Sequence, residues 1–286
     1  MTRRRIALAL AALMLAGTAP AQTVKSQDQA GSSRDADRGR YVALNGIRMY
    51  FEDHGAGQAV LQIHGNDQSI ASMSAQVVEM SRYFRVIAAD SRGHGKTELG
   101  PGPLRYEAMA EDFNALLEHL GLKAVHVLGW SDGGIVGLLL AMNHPDKVAK
   151  LAIMGASLNP AGAHAWAMDW AVSERERIMR RVGQGDTSED WARALVLLEL
   201  LMTQPRIEPA ALERIVAPVL VMSGDADVIR LEHTLQIFGH LPRAQLAIFP
   251  GATHFAPAEN PALFNATVLS FFQRDFRRPA SKDHFR

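Results

Sequence analysis

Cysteine is absent from this chain of 286 residues. No disulfide can therefore staple it, no lipid can be attached through an N-terminal cysteine, and no Cys/His cluster can bind a metal. A charge surplus is missing too. Lys+Arg and Asp+Glu number 30 each, so nothing marks a nucleic-acid partner. No H-E-x-x-H string occurs and no G-x-G-x-x-G follows a predicted strand, so neither a metal nor a dinucleotide cofactor is expected. The N-terminal apolar run, Ile6 to Ala16, is too short to span a bilayer, which needs about 20 residues. What is present is an ordinary globular composition, 48% hydrophobic and 21% charged, enough for one large domain with a modest insertion.

The N-terminus has the layout of an export signal. Arg3, Arg4 and Arg5 precede the apolar run, and Ala19-Pro20-Ala21 supplies the small residues of a cleavage site. The expectation is a signal peptide over residues 1–21, cleaved after Ala21, and a periplasmic or secreted protein. Residues 22–40 are rich in Gln, Ser, Asp, Arg and Gly and read as a disordered leader.

Regular structure is expected from Tyr41. "YVALNGIRMYFEDHG" alternates on both sides of Asn45-Gly46, a two-residue hairpin signal. Continuous apolar runs follow at 59–65, 85–90, 124–130 and 148–156, as parallel strands covered on both faces require. A helical pattern at 105–121 separates two of them and ends in a glycine. Strands resume at 217–227 and 244–254, and a last amphipathic helix is expected over 257–276. The pattern predicts an α/β fold: a mostly parallel eight-stranded sheet flanked by helices, with core segments 41–158 and 217–277 and a helical cap insertion at 159–216.

Gly129-Trp130-Ser131-Asp132-Gly133 has the form G-x-S-x-G between an apolar strand and a helix. In that context the serine is a candidate nucleophile on a strained turn. A serine needs a base, and the base needs an acid to hold its tautomer. His254 and Asp227 each follow a strand, in the chain order Ser…Asp…His. Asp225 is a rival for the acid, although the loop position favours Asp227. His233 and His240 lie on a helical segment and are expected to face solvent, His64 reads as structural, and His94 reads as a turn residue. The main-chain N–H groups of Asn66 and Asp132 are the candidate oxyanion hole. Asp132 poses a question of its own, a carboxylate beside a site built for an anion. Its side chain either meets a cationic substrate or turns sideways into the loops.

Together "IHGN", "DSRGHGKT", "GWSDGG", "GDADVI" and "GATHF" resemble the α/β-hydrolase superfamily over residues 41–277, with an elbow similar to that of the biphenyl hydrolase-like serine esterases. The resemblance implies a substrate-binding role for Asp132, since the acid after the serine binds a substrate amino group in those esterases. A serine at the elbow sets the chain apart from dehalogenases and epoxide hydrolases, whose nucleophile is Asp. The short His64-Gly65-Asn66 loop sets it apart from the HGGG branch. Trp130 on the elbow and Trp166, Trp170 and Trp191 in the insertion are candidate substrate-pocket residues, with packing as the competing role. The expected activity is cleavage of a small to medium carboxylic ester through an acyl-enzyme. The alternatives are a lactone, amide or C–C bond, or perhydrolysis, by the same triad, and a non-catalytic binding protein on a hydrolase scaffold.

Overall fold

The computed structural model describes residues 39–285. The expected signal peptide and most of the expected leader lie outside these residues. Eight strands form one sheet: β1 (Gly39–Leu44), β2 (Ile47–Gly55), β3 (Ala59–Ile63), β4 (Arg85–Ala89), β5 (Val125–Trp130), β6 (Val148–Met154), β7 (Val219–Ala226) and β8 (Ala244–Thr253). Their spatial order is β1-β2-β4-β3-β5-β6-β7-β8. β1 pairs antiparallel with β2 and β2 with β4, while the remaining pairs are parallel.

The hairpin closes at Leu44↔Ile47, with Asn45 and Gly46 at φ 43° and 76°, as a primed two-residue turn requires. One expectation fails here. Gly39 and Arg40, placed in the leader, pair with Glu52 and Phe51. At a sheet edge the main chain supplies the pairing and most of the β1 side chains stay exposed, so β1 begins with loop-like composition.

Every residue of β3 and of β5 is buried, because helices cover both faces of the sheet. One apolar layer joins the sheet to α2 (Tyr106–His119), α3 (Asp132–Asn143) and α6 (Leu231–His240). The other joins it to α1 (Ser74–Met80) and α8 (Pro261–Gln273). The expected closing helix is two helices, because Pro261 and the Asn260 cap, which accepts from the Leu263 N–H at 3.2 Å, separate α7 (Ala256–Glu259) from α8.

Between β6 and β7 the chain leaves the sheet for α4 (Ala165–Gly183) and α5 (Trp191–Thr203). Ala171, Ile178, Trp191 and Leu198 form an apolar cluster between these two helices. Among the described residues no helix is long and apolar enough to cross a membrane.

Candidate active site

Ser131 sits between β5 and α3 at φ 56° and ψ −117°, a conformation that costs an L-residue roughly 1–3 kcal/mol. Its neighbours make that position tolerable. A Cβ on Gly129 would lie 2.2 Å from the Gly133 carbonyl oxygen, and one on Gly133 would lie 2.1 Å from that of Ile63. Only glycines let α3 press so closely against β3 and β5. The Ser131 N–H donates to the Met154 oxygen at 2.7 Å, anchoring the turn to the end of β6.

The next residue after that anchor brings in the histidine. Gly155, at φ 62°, passes so close to the His254 ring that a Cβ there would lie 2.6 Å from Cε1 and 3.3 Å from an Asp227 carboxylate oxygen. His254 and Asp227 thus meet at the C-terminal ends of β8 and β7, beside the end of β6 to which the Ser131 turn is anchored. His254 Nδ1 lies 2.7 Å from Asp227 Oδ1. Asp227 also accepts the Ile229 N–H at 2.9 Å and the Ser223 hydroxyl at 3.3 Å. Burial works to raise the Asp227 carboxyl. The adjacent His254 and the N–H groups of Ile229 and Gly224 outweigh it and hold the carboxyl below its ordinary range. Asp225 is engaged elsewhere, accepting the Gly251 N–H at 2.9 Å.

The main chain around His254 is pinned from two sides. Trp130 Nε1 donates to the His254 carbonyl at 2.8 Å. Glu259 takes the Thr253 N–H at 2.8 Å and the Thr253 hydroxyl at 2.6 Å. Trp130 is therefore corrected from pocket residue to scaffold: it is 2% exposed, within the apolar layer, with its one polar group satisfied.

The loop after β3 lies against the elbow, since a Cβ on Gly65 would come within 3.1 Å of Ser131 Cβ. Among the described residues, no protein acceptor takes the main-chain N–H of Asn66 or of Asp132. The Asp132 carboxylate is turned sideways. It is buried, accepts from Asn66 Nδ2 at 2.9 Å, and is hydrogen-bonded by Tyr106. Burial pushes its pKa up to about 6 against the lowering effect of those two hydrogen bonds. Of the two orientations the sequence allows, the carboxylate takes the sideways one, toward Asn66 and Tyr106.

His64 Nε2 accepts the Ser91 N–H at 3.0 Å while Nδ1 donates to the Gly65 oxygen at 2.8 Å, and burial lowers its pKa to about 4. His94 is buried in its own turn, with Nδ1 2.9 Å from the Arg92 oxygen, and burial lowers it to about 3. His233 is a correction: it is buried rather than solvent-facing, and its Nε2 accepts the Leu158 N–H at 2.9 Å. The entry of the insertion packs over that face of α6, which helical spacing alone does not disclose. His240 is partly exposed, with Nδ1 2.9 Å from the Gln236 oxygen.

The tryptophans of the insertion separate. Trp191 is corrected to a packing residue, buried in the cluster between α4 and α5 with Arg177 5.1 Å from its ring centroid. Trp170 packs at the edge of the same cluster. Trp166 is 62% exposed and lies parallel to His164. Sequence reasoning missed Tyr106, Gly155 and Glu259. A glycine directly after a buried strand is the only signal any of them carries in the sequence.

The profile described as "alpha/beta hydrolase fold" matches residues 58–188. A RutD protein of Caulobacter sp. strain K31, whose name offers carbamate hydrolysis as its activity, is 30% identical over 260 residues, spanning 78% of this chain and 95% of that one. The human serine hydrolase BPHL is 26% identical over 249 residues, spanning 81% and 85% of the two chains. The structure of a thermophilic esterase from Thermogutta terrifontis superposes with a TM-score of 0.66 at 26% identity, covering 82% of this chain and 98% of that one. With this breadth of similarity added to the sheet order and the elbow, the chain belongs to the alpha/beta hydrolase fold family.

Proposed function

We propose that this hydrolase is a serine esterase that cleaves a small to medium carboxylic ester through an acyl-enzyme. The observation that carries the reading is the 2.7 Å His254–Asp227 pair set against the strand end to which Ser131 is anchored. In this reading Ser131 Oγ attacks the ester carbonyl and its proton passes to His254 Nε2. Asp227 keeps the Nδ1 proton in place and stabilises the imidazolium. The oxyanion of the tetrahedral intermediate takes hydrogen bonds from the N–H groups of Asn66 and Asp132, two donors that meet no protein acceptor among the described residues. Collapse expels the alcohol, protonated by His254. Water, deprotonated by the same imidazole, then releases the acid and frees Ser131.

The likeness to the RutD protein favours a second reading, the same triad acting on a carbamate. The two differ in the group delivered to Ser131, an acyl group from an ester and a carbamoyl group from a carbamate, so a substrate panel separates them. Under the ester reading a fluorophosphonate labels Ser131 in the wild type, and Ser131→Ala lowers kcat on p-nitrophenyl butyrate by several orders of magnitude. A panel of esters, carbamates, lactones and amides then ranks esters first by kcat/KM. No adduct on Ser131 defeats the nucleophile assignment, and carbamates ranking first defeats the ester assignment alone.

A further inference from the structure

The two main-chain donors of the proposed oxyanion hole come from segments 66 positions apart in sequence. Asp132 is fixed by α3, but Asn66 lies in a loop whose next residue, Asp67, is at φ 51°. A donor aimed from such a loop needs a restraint, because a small displacement of a catalytic group costs heavily in rate. Within the loop the Gly65 N–H is held by Gln68 Oε1 at 2.9 Å, which does not connect the loop to the elbow.

The Asn66 side chain does make that connection. Nδ2 donates to Asp132 Oδ2 at 2.9 Å and to the Leu197 oxygen in α5 at 3.1 Å. Both partners are pure acceptors, so the carboxamide has one chemically sensible orientation, with its nitrogen toward them. The Asp132 carboxylate is held in turn by Tyr106 from α2 and also feels His254 from the loop after β8. We propose that Asn66 is a positioning residue: its side chain, bonded to the Asp132 carboxylate, holds the loop after β3 in register with the elbow so that both main-chain N–H groups meet the same developing oxyanion. The acid after the serine then serves as the acceptor of a structural latch rather than as a specificity group. This inference rests on the reading of Ser131 as the nucleophile.

The test uses the full chain, p-nitrophenyl butyrate, and fluorophosphonate labelling of the wild type as the check on that reading. Asn66→Asp sets two carboxylates against each other. At mildly alkaline pH its kcat should fall about 100-fold, with KM within a few-fold of wild type. Like charges raise the pKa of one member of such a pair, so acidification returns a proton to the contact and makes it a donor again. The ratio of variant to wild-type kcat should therefore rise as pH falls, a recovery that a general loss of structure would not give. The double variant N66D/D132N restores a carboxamide facing a carboxylate with the roles exchanged, and should regain most of the lost kcat at alkaline pH. Asn66→Ala removes the bond without adding charge and should lose kcat with no recovery in acid, which keeps the test decisive if Asn66→Asp does not fold. Wild-type kcat in Asn66→Ala or Asn66→Asp, with the wild type labelled on Ser131, overturns the inference and leaves the esterase reading standing. A pH-independent loss that the double variant does not relieve overturns it as well. Failure of the wild type to label at Ser131 removes the nucleophile reading and the inference together.

Discussion

The strand ends that carry Ser131, Asp227 and His254 and the helical insertion between β6 and β7 are stabilised in different ways. At the strand ends the groups around the histidine are held by directional bonds: Trp130 to the His254 carbonyl, Glu259 to Thr253, and Ile229 and Ser223 to Asp227. The insertion is held mainly by an apolar cluster of four buried residues, with solvent-exposed pairs such as Arg175–Glu199 and Arg181–Asp186 around it. Exposed ion pairs of this kind add little, because solvent screens them. Its polar ties to the rest of the fold include Asn66 to the Leu197 oxygen at 3.1 Å and Arg193 to the Gly93 oxygen at 3.2 Å. Directional bonds fix positions to tenths of an ångström, whereas apolar packing tolerates repacking at constant volume. The strand ends are thus the geometrically invariant region, and the insertion is the one whose apolar packing can be altered at constant volume.

The largest expected effect tests the invariant region. Asp227→Asn should lower kcat about 10⁴-fold while leaving the fold intact, because it disturbs the tautomer and charge partner of His254. Asp225→Asn should stay within a few-fold of wild type, since Asp225 only supports Gly251. Steady-state kinetics on both variants checks this, and a more damaging Asp225→Asn would assign the acid role to the wrong carboxylate.

A smaller effect separates the regions directly. Trp191→Ala should cost about 3 kcal/mol or more of local stability by leaving a cavity between α4 and α5. Hydrogen exchange should report faster opening over 165–203 with β5 to β8 unchanged. Equal loss of protection in the strands would show that the insertion and the sheet unfold as one unit. The smallest effect lies inside the site. Trp130→Phe keeps an aromatic ring but removes the hydrogen bond to the His254 carbonyl and part of the buried indole volume, and should lower kcat by about tenfold or less. A Trp130→Phe loss confined to KM would return that ring to the substrate pocket.

Much of this was legible in advance. Strands such as "AVLQI" and "VHVLGW" are apolar throughout because both faces are covered, and that continuity survives into sequence as a run. The elbow was legible because sterics leave few solutions: a serine at positive φ needs small residues on both sides. The β1 start was not, because an edge strand pairs through its main chain. His233 was not, because its burial depends on the insertion folding back across α6. The tryptophans were ambiguous for a related reason, since an indole has the same signature whether it lines a pocket or fills a core.

By itself the sequence determined the fold class, the tight turn at Ser131 and the order of the three candidate catalytic residues, all properties written in local pattern and chain order. Only the tertiary structure decided which aspartate meets His254, that Trp130 holds the main chain of the histidine, and that the Asp132 carboxylate faces Asn66 and Tyr106. Those are contacts between segments tens to more than a hundred residues apart. Their directions are set by how the strand ends converge, and no spacing along the chain encodes that.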